Sequence, residues 1–145
     1  MSRYIFAYDV LFEFIKRFFP LCFSRSIHTK MIVDTLIKNF PARIAGYEMA
    51  AMLFISNRRL QKVCAVSFHI TYTRLKRILR VYYALILFAE TRLDYNEVAE
   101  ALNYTERTNL MRDIRLELNV SADEVRYLLT GFIPQELFKN LWKGP

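Results

Sequence analysis

The strongest constraint on the fold is a short pattern that occurs twice in the sequence. Residues 49–56 read Met-Ala-Ala-Met-Leu-Phe-Ile-Ser, and residues 98–105, which lie 49 positions later, read Val-Ala-Glu-Ala-Leu-Asn-Tyr-Thr. Each copy has an apolar helical pattern, a turn, and a hydroxyl residue placed to cap the next helix. An arginine-bearing helical stretch follows each copy, over residues 57–66 and 106–118. Because self-similarity at a fixed period indicates duplicated structure, we expect two copies of one helix-turn-helix unit.

The bulk composition favours a folded, helical chain. Of the 145 residues, 54% are hydrophobic and 15% aromatic, and only 3 Gly and 4 Pro interrupt helical patterns. This content is too apolar for disorder and sufficient for one domain or two small lobes. No segment has a convincing strand pattern. We therefore predict an all-α fold, with two helix-turn-helix subdomains joined by a long linker helix and preceded by a short helical N-terminal extension.

Periodicity and capping residues divide the chain further. Three regions are predicted: an amphipathic helical extension over 1–28, a domain over 29–130, and a short C-terminal helix within 131–145. Pro20 ends the first helix, residues 24–29 are interpreted as a linker, and a short helix is expected over 31–40. Within the domain, the first helix-turn-helix unit covers about 45–66, the linker helix 72–90 and the second unit 95–118. The linker helix has Thr71 or Thr73 as its cap, the second unit starts at Asp94 or Asn96, and Ser121 caps a further helix.

Positive charge is concentrated in the middle of the chain. The formal net charge is +7, and no acidic residue occurs between Glu48 and Glu90. Seven cations lie in that stretch: Arg58, Arg59, Lys62, Arg74, Lys76, Arg77 and Arg80. Such a field favours a polyanionic partner. A solvated basic face that only keeps the protein soluble is the alternative that charge alone leaves open.

The helical periodicity separates a buried face from an exposed face on each arginine-bearing helix. At 100° per residue, Leu60, Val63 and Cys64 form the buried stripe of the first helix, and Leu110 and Ile114 that of the second. The opposite faces carry these side chains: Arg58, Gln61 and Lys62 in the first helix, and Thr108, Arg112 and Arg115, flanked by Arg107, in the second.

The residue types on these exposed faces suit base and phosphate contacts. Arg forms forked hydrogen bonds to guanine, Gln to adenine, and Lys or Arg pairs with phosphate. Ser56 and Thr105 are predicted N-caps, which would also leave backbone N–H groups free to meet phosphate. Two ordinary amphipathic helices with solvent-facing arginines are the alternative. The repeated helix-turn-helix arrangement favours helices that enter a DNA major groove.

These residues resemble the DNA-binding domain of the AraC/XylS family of bacterial transcription regulators over about residues 31–126. The similarity includes Met49-Ala50, Ser56 with Leu60-Gln61-Lys62, Arg80, Val98-Ala99-Glu100, Asn103-Tyr104, Leu110 with Arg112, Ile114-Arg115, Asn119-Val120-Ser121 and Arg126. The resemblance implies two helix-turn-helix units joined by one long helix. It implies these base-facing positions: Arg58, Gln61, Lys62, Arg107, Thr108, Asn109 and Arg112, with Arg115 near the DNA backbone.

The sequence departs from that family's pattern at several turns. The family usually has glycine where Phe54, His69, Asn103 and Asn119 stand here. Asn tolerates a positive φ, whereas Phe54 and His69 fit such a backbone less well. Ala122 replaces a usual Pro, and Ile114-Arg115 replaces a usual Phe-Lys. The segment from Asp113 to Ser121 is similar to regulators of type III secretion genes, which implies a role in virulence regulation.

Other classes of function lack their sequence signatures. Nucleotide-binding glycine loops, nucleophile motifs and metal-ligand spacings are missing, so we expect no enzyme, cofactor or metal. Cys22 and Cys64 lack disulfide or metal spacing and fit a reducing, cytoplasmic setting. The longest uncharged apolar run, residues 81–89, is shorter than the roughly 20 residues that cross a bilayer. The approximately 28 residues before the resemblance are too few for a small-molecule effector domain.

The leading hypothesis is therefore a sequence-specific regulator, for instance an activator, that binds double-stranded DNA as a monomer or dimer. RNA polymerase, or a regulatory protein or chaperone, is the expected further partner. The alternative is a non-enzymatic interaction module that keeps the fold and binds another regulator or a secretion component. Its apolar docking surface would comprise the aromatic N-terminal helix, Tyr82, Tyr83 and Trp142.

Overall fold

Helices account for all the regular structure of the computed structural model, which describes residues 7–24 and 26–145. In these residues there are nine α-helices, one 3-10 turn over Cys22–Ser24, and no strand. The helices are α1 Ala7–Phe18, α2 Ile27–Lys38, α3 Gly46–Met52, α4 Asn57–Phe68, α5 Tyr72–Glu90, α6 Tyr95–Ala101, α7 Arg107–Leu118, α8 Ala122–Leu128 and α9 Pro134–Leu141. The predicted all-α fold is confirmed, and none of these helices is long and apolar enough to cross a membrane.

The chain divides into two compact units, and the boundary falls inside α5. The first unit runs to Lys76 and also includes Pro145, and the second covers Arg77–Gly144. Each unit contains one copy of the repeat: α3 packs on α4 in the first, and α6 packs on α7 in the second. The three-part division into extension, domain and terminal helix stays a prediction.

The first unit is organised around the packing of α1, α2 and α4. Phe14 of α1 is buried, and the Phe19 and Phe68 rings meet edge to face with centroids 5.4 Å apart. The Thr29 and Ser67 hydroxyls share a buried hydrogen bond of 2.6 Å that joins α2 to α4. Residues 1–6 of the predicted extension lie outside the described residues.

The predicted linker over residues 24–29 is wrong over its last three residues, 27–29, which belong to α2. Helix α2 already begins at Ile27, because Ser26 adopts an extended conformation and its hydroxyl accepts a hydrogen bond from the His28 backbone N–H. A serine in this position satisfies one of the free N–H groups of the first turn. Three other caps are as predicted. Of the two candidates for α5, Thr71 and not Thr73 is the cap, and its hydroxyl accepts from the Arg74 N–H. Asp94 and not Asn96 caps α6, and Ser121 caps α8.

The second unit is held by apolar packing and by a buried polar cluster. The Tyr82 and Phe138 rings meet edge to face at 5.5 Å, which places α9 against α5. Arg80 is 5% exposed and its Nε donates to the Leu102 carbonyl at 3.1 Å, so this cation fixes the end of α6. Glu117 is also 5% exposed, and its carboxylate accepts a hydrogen bond from the Arg77 Nε at 2.7 Å.

The two repeat turns have the same backbone hydrogen bonds. Ile55 N–H donates to the Ala50 carbonyl at 3.0 Å, and Tyr104 N–H donates to the Ala99 carbonyl at 2.9 Å. This six-residue closure is the arrangement that ends a helix on a left-handed residue. The duplication seen in the sequence is therefore a duplication of backbone geometry.

All four residues that replace glycine in the AraC/XylS pattern adopt left-handed backbone. Their φ angles are 57° at Phe54, 60° at His69, 61° at Asn103 and 60° at Asn119. Phe54 and His69 thus retain the turn geometry that their side chains disfavour. An L-residue other than Gly, Asn or Asp in this region carries a cost of roughly 1–2 kcal/mol.

Candidate nucleic-acid interface

The first candidate recognition helix is α4, which is anchored by its cap and by a buried stripe. Ser56 occupies the N-cap position, and its hydroxyl accepts from the Arg59 N–H at 3.0 Å. The predicted stripe is confirmed, since Leu60, Val63 and Cys64 are all buried. Burial also raises the pKa of the Cys64 thiol to about 12, so this side chain stays neutral in the core.

The side chains predicted to read bases lie on the opposite face of α4. Arg58, Gln61 and Lys62 are all exposed, as is Arg59, which was not among the predicted contacts. Arg59 lies three residues before Lys62, so the two belong to one side of the helix. Because Arg59 lies in the first turn of α4, the sequence alone could have placed it among the candidate contacts.

Gln61 is held in place by its neighbours on α4. Its Nε2 donates to the Asn57 Oδ1 at 3.2 Å. A Cβ built on Gly46 of α3 would lie 3.1 Å from that Asn57 oxygen and 3.4 Å from the Gln61 nitrogen. Glycine at position 46 therefore makes room for this side-chain pair where α3 meets α4.

We expect Ser56→Ala to lower the free energy of unfolding of the first unit by about 1 kcal/mol, because the Arg59 N–H loses its acceptor. Thr105→Ala is the matched control, since Thr105 accepts no backbone N–H in the structure. Urea denaturation followed by circular dichroism measures both. Equal losses in the two variants would contradict the capping role of Ser56.

The second candidate recognition helix, α7, does not start as predicted. Thr105 was expected to be its N-cap, but Glu106 occupies that position without a side-chain cap. The extended backbone at Glu106, with φ −141°, delays the helix by one residue relative to the first copy. The Thr105 hydroxyl consequently meets the Asn109 side-chain amide at 3.5 Å instead of a backbone N–H.

An open cleft of about 540 Å³ lies at the N-terminal end of α7. It is lined by Asn96, Ala99, Glu100 and residues 104–108. Glu100 and Glu106 bring two carboxylates to this cleft, and Arg107 brings one guanidinium. The phosphate contact expected beside Thr105 stays a prediction.

The exposed face of α7 presents the predicted polar side chains. Arg107, Thr108, Arg112 and Arg115 are exposed, and Asn109 is half-buried. Behind them, Leu110 and Ile114 are fully buried, as predicted.

Two of these α7 side chains have local partners. The Thr108 hydroxyl donates to the Glu106 carboxylate at 3.3 Å. Arg112 is 67% exposed, and its Nε lies 3.9 Å from the Asp113 carboxylate, which the Tyr104 hydroxyl holds at 2.8 Å. An exposed ion pair at this distance contributes little, so the Arg112 guanidinium keeps its hydrogen-bonding capacity.

The seven-cation field predicted from the sequence is only partly on the surface. Arg80 is buried on the Leu102 carbonyl, Arg77 pairs with Glu117, and the Lys76 ammonium donates to the Ile44 carbonyl at 3.1 Å. Lys76 also lies over the Tyr72 ring at 4.8 Å. Three of the four cations of α5 thus have partners within their own unit, and the fully exposed cations of this stretch lie on α4.

Comparison with known proteins supports the fold. The chain is similar to the crystal structure of the C-terminal domain of the two-component response regulator YesN from Fusobacterium nucleatum, with a TM-score of 0.64 and 16% sequence identity. The match covers 70% of this chain and 99% of that domain. The sequence matches no known family profile and no curated protein. The chain therefore has the helical fold of that response-regulator domain.

Proposed function

We propose that this chain is a divergent AraC/XylS-type transcription regulator that binds specific DNA sequences by inserting α4 and α7 into successive major grooves. One observation carries the proposal. At matching places in two copies of the same backbone, a buried apolar stripe supports an exposed face rich in arginine, lysine and amides.

The exposed side chains fit the chemistry of a major groove. Arg58 and Arg112 can each form two hydrogen bonds to guanine O6 and N7, and Gln61 can meet adenine through its amide. The resemblance implies base-facing positions for Lys62 and Arg107 and a backbone position for Arg115. We propose that all three also supply charge for phosphates, which positions the helices without reading sequence. Because the exposed faces of α4 and α7 carry different side chains, a single chain can bind an asymmetric DNA site.

The fold comparison supports the same function at a coarser level. The similar structure is a domain of a two-component response regulator, and regulation by DNA binding is what the AraC/XylS resemblance implies for this helical fold. We further propose that the protein acts in the cytoplasm as a monomer or dimer, with RNA polymerase as a second partner.

Selection from a random duplex library, followed by affinity measurement, tests the proposal. We expect one enriched sequence that binds at least about 10³ times more tightly than a scrambled duplex at physiological salt. Equal affinities for the enriched and scrambled duplexes would refute sequence-specific binding.

Arg112→Ala should weaken binding to the enriched site by about 1–3 kcal/mol and relax selectivity at one base pair. Lys139→Ala removes the same charge from an exposed position on α9 of the same unit, and we expect it to change affinity much less. Fluorescence anisotropy on the enriched and scrambled duplexes compares the two. A loss that is equal on both duplexes would assign Arg112 to the phosphates rather than to a base.

Part of the docking surface predicted for the alternative function, an interaction module, is buried. Tyr82, Tyr83 and Trp142 are 5%, 3% and 9% exposed, because they pack the core of the second unit. On α1, Phe14 is buried as well, whereas Tyr8, Phe12 and Phe18 are half-buried. The buried aromatic side chains stabilise the protein and are not presented to a partner.

A further inference from the structure

The first unit exposes apolar side chains where the second unit has polar or small ones. Tyr47, Met52 and Phe54 are 72%, 53% and 94% exposed. The positions 49 residues later hold Asn96, Ala101 and Asn103. Since the two turns share one backbone geometry, the units differ in the side chains that they expose and not in their backbone conformation.

Phe54 is the extreme case among these residues. Its backbone is left-handed, with φ 57°, which a bulky side chain disfavours, and its ring is almost wholly in solvent. Asn103 holds the corresponding place with φ 61°, which an asparagine adopts more easily. The Phe54 ring therefore gains almost no burial in the protein itself, and it can gain burial only against a partner.

The surroundings of Phe54 indicate a polyanionic partner. Phe54 lies two residues before the Ser56 cap of α4, and exposed Arg58, Arg59 and Lys62 follow it. No acidic residue occurs from residue 49 to residue 89. An apolar ring bordered by cations fits DNA, whose major groove displays thymine methyl groups between lines of phosphate.

We propose that Phe54 contacts a thymine C5-methyl group at the rim of the major groove entered by α4. This inference rests on the proposed function and adds an apolar reading element that belongs to the first unit alone. It assigns the unusual turn residue a role in sequence preference.

Phe54→Asn tests the contact, because it copies the residue of the second unit at the same φ. His69→Asn is the matched control, since His69 has the same φ at the opposite end of α4 and is also exposed. We expect each substitution to lower the unfolding equilibrium constant roughly fivefold, as the left-handed residue is relieved. Only Phe54→Asn should weaken binding to the enriched duplex, by about fivefold, with an unchanged salt slope.

Replacing thymines of the enriched duplex one at a time by deoxyuridine, which lacks the C5-methyl, locates the contact. We expect one deoxyuridine to weaken the wild-type protein about as much as Phe54→Asn does. That deoxyuridine should cause no further loss in the variant. Unchanged affinity of Phe54→Asn, or equal sensitivity of wild type and variant to every deoxyuridine, would overturn the contact and favour docking of a protein.

The two proposals fail in different ways. If no enriched duplex exists, both are overturned. If Arg112→Ala loses affinity and Phe54→Asn does not, DNA binding stands and only the thymine contact is refuted.

Discussion

Replacing Glu117 by alanine is expected to lower the free energy of unfolding of the second unit by about 3–5 kcal/mol. The carboxylate is 5% exposed at the C-terminal end of α7. It accepts from Arg77 Nε of α5 at 2.7 Å and from Trp142 Nε1, which directly follows α9, at 3.2 Å. Removing it leaves a guanidinium, only 27% exposed, without this counter-charge. Because the Glu117 carboxylate joins α7 to α5 and to the residue after α9, its loss should also weaken the packing of α7.

Urea denaturation monitored by Trp142 fluorescence measures this effect at the Glu117 cluster, because the chain contains 1 Trp. Glu100→Ala is the control, since that carboxylate is exposed in the same unit and should change stability by less than about 0.5 kcal/mol. Glu117→Gln keeps the shape and one of the two acceptor oxygens while it removes the charge, so we expect an intermediate loss. A cost below about 1 kcal/mol for Glu117→Ala would contradict the role of this carboxylate.

Affinity for the enriched duplex is expected to fall roughly 150- to 500-fold between 50 and 200 mM salt. Six exposed cations lie on the two candidate recognition helices: Arg58, Arg59, Lys62, Arg107, Arg112 and Arg115. If four or five of them neutralise phosphates, counterion release gives a slope of about −3.6 to −4.5 for log affinity against log salt. Lys76, Arg77 and Arg80 of α5 add little, because they have partners within the units.

Arg115→Ala should reduce the magnitude of this slope by about 1, since the proposal places that residue at the DNA backbone. Anisotropy titrations at four salt concentrations give both slopes, with Lys139→Ala as the charge-matched control. A slope near zero in the wild type would contradict phosphate contacts by the cations of α4 and α7.

The local features of this fold could be predicted because they depend on neighbours in sequence. The 3.6-residue period identified the stripe of Leu60, Val63 and Cys64, and a serine before a polar helix identified the Ser56 cap. The linker helix was placed at residues 72–90, where α5 lies. Each of these depends on contacts within one or two turns.

Several of the errors concern partners that are distant in sequence. Nothing near Lys76 or Arg80 shows that the Ile44 and Leu102 carbonyls bind these cations, so both were assigned to a basic surface. Tyr82 was considered for an exposed surface because its partner, Phe138, lies 56 positions away. Thr105 was given the cap of α7 by analogy with Ser56, and a single extended residue at Glu106 changed the outcome.

Methylation protection of guanine N7 on the enriched duplex is the most direct test of DNA binding by both units, because N7 lies in the major groove. We expect two protected windows about 10 base pairs apart on one side of the duplex. Arg58→Ala should restore methylation in one window and Arg112→Ala in the other. A single window, or the same window affected by both variants, would contradict the insertion of α4 and α7 into successive grooves.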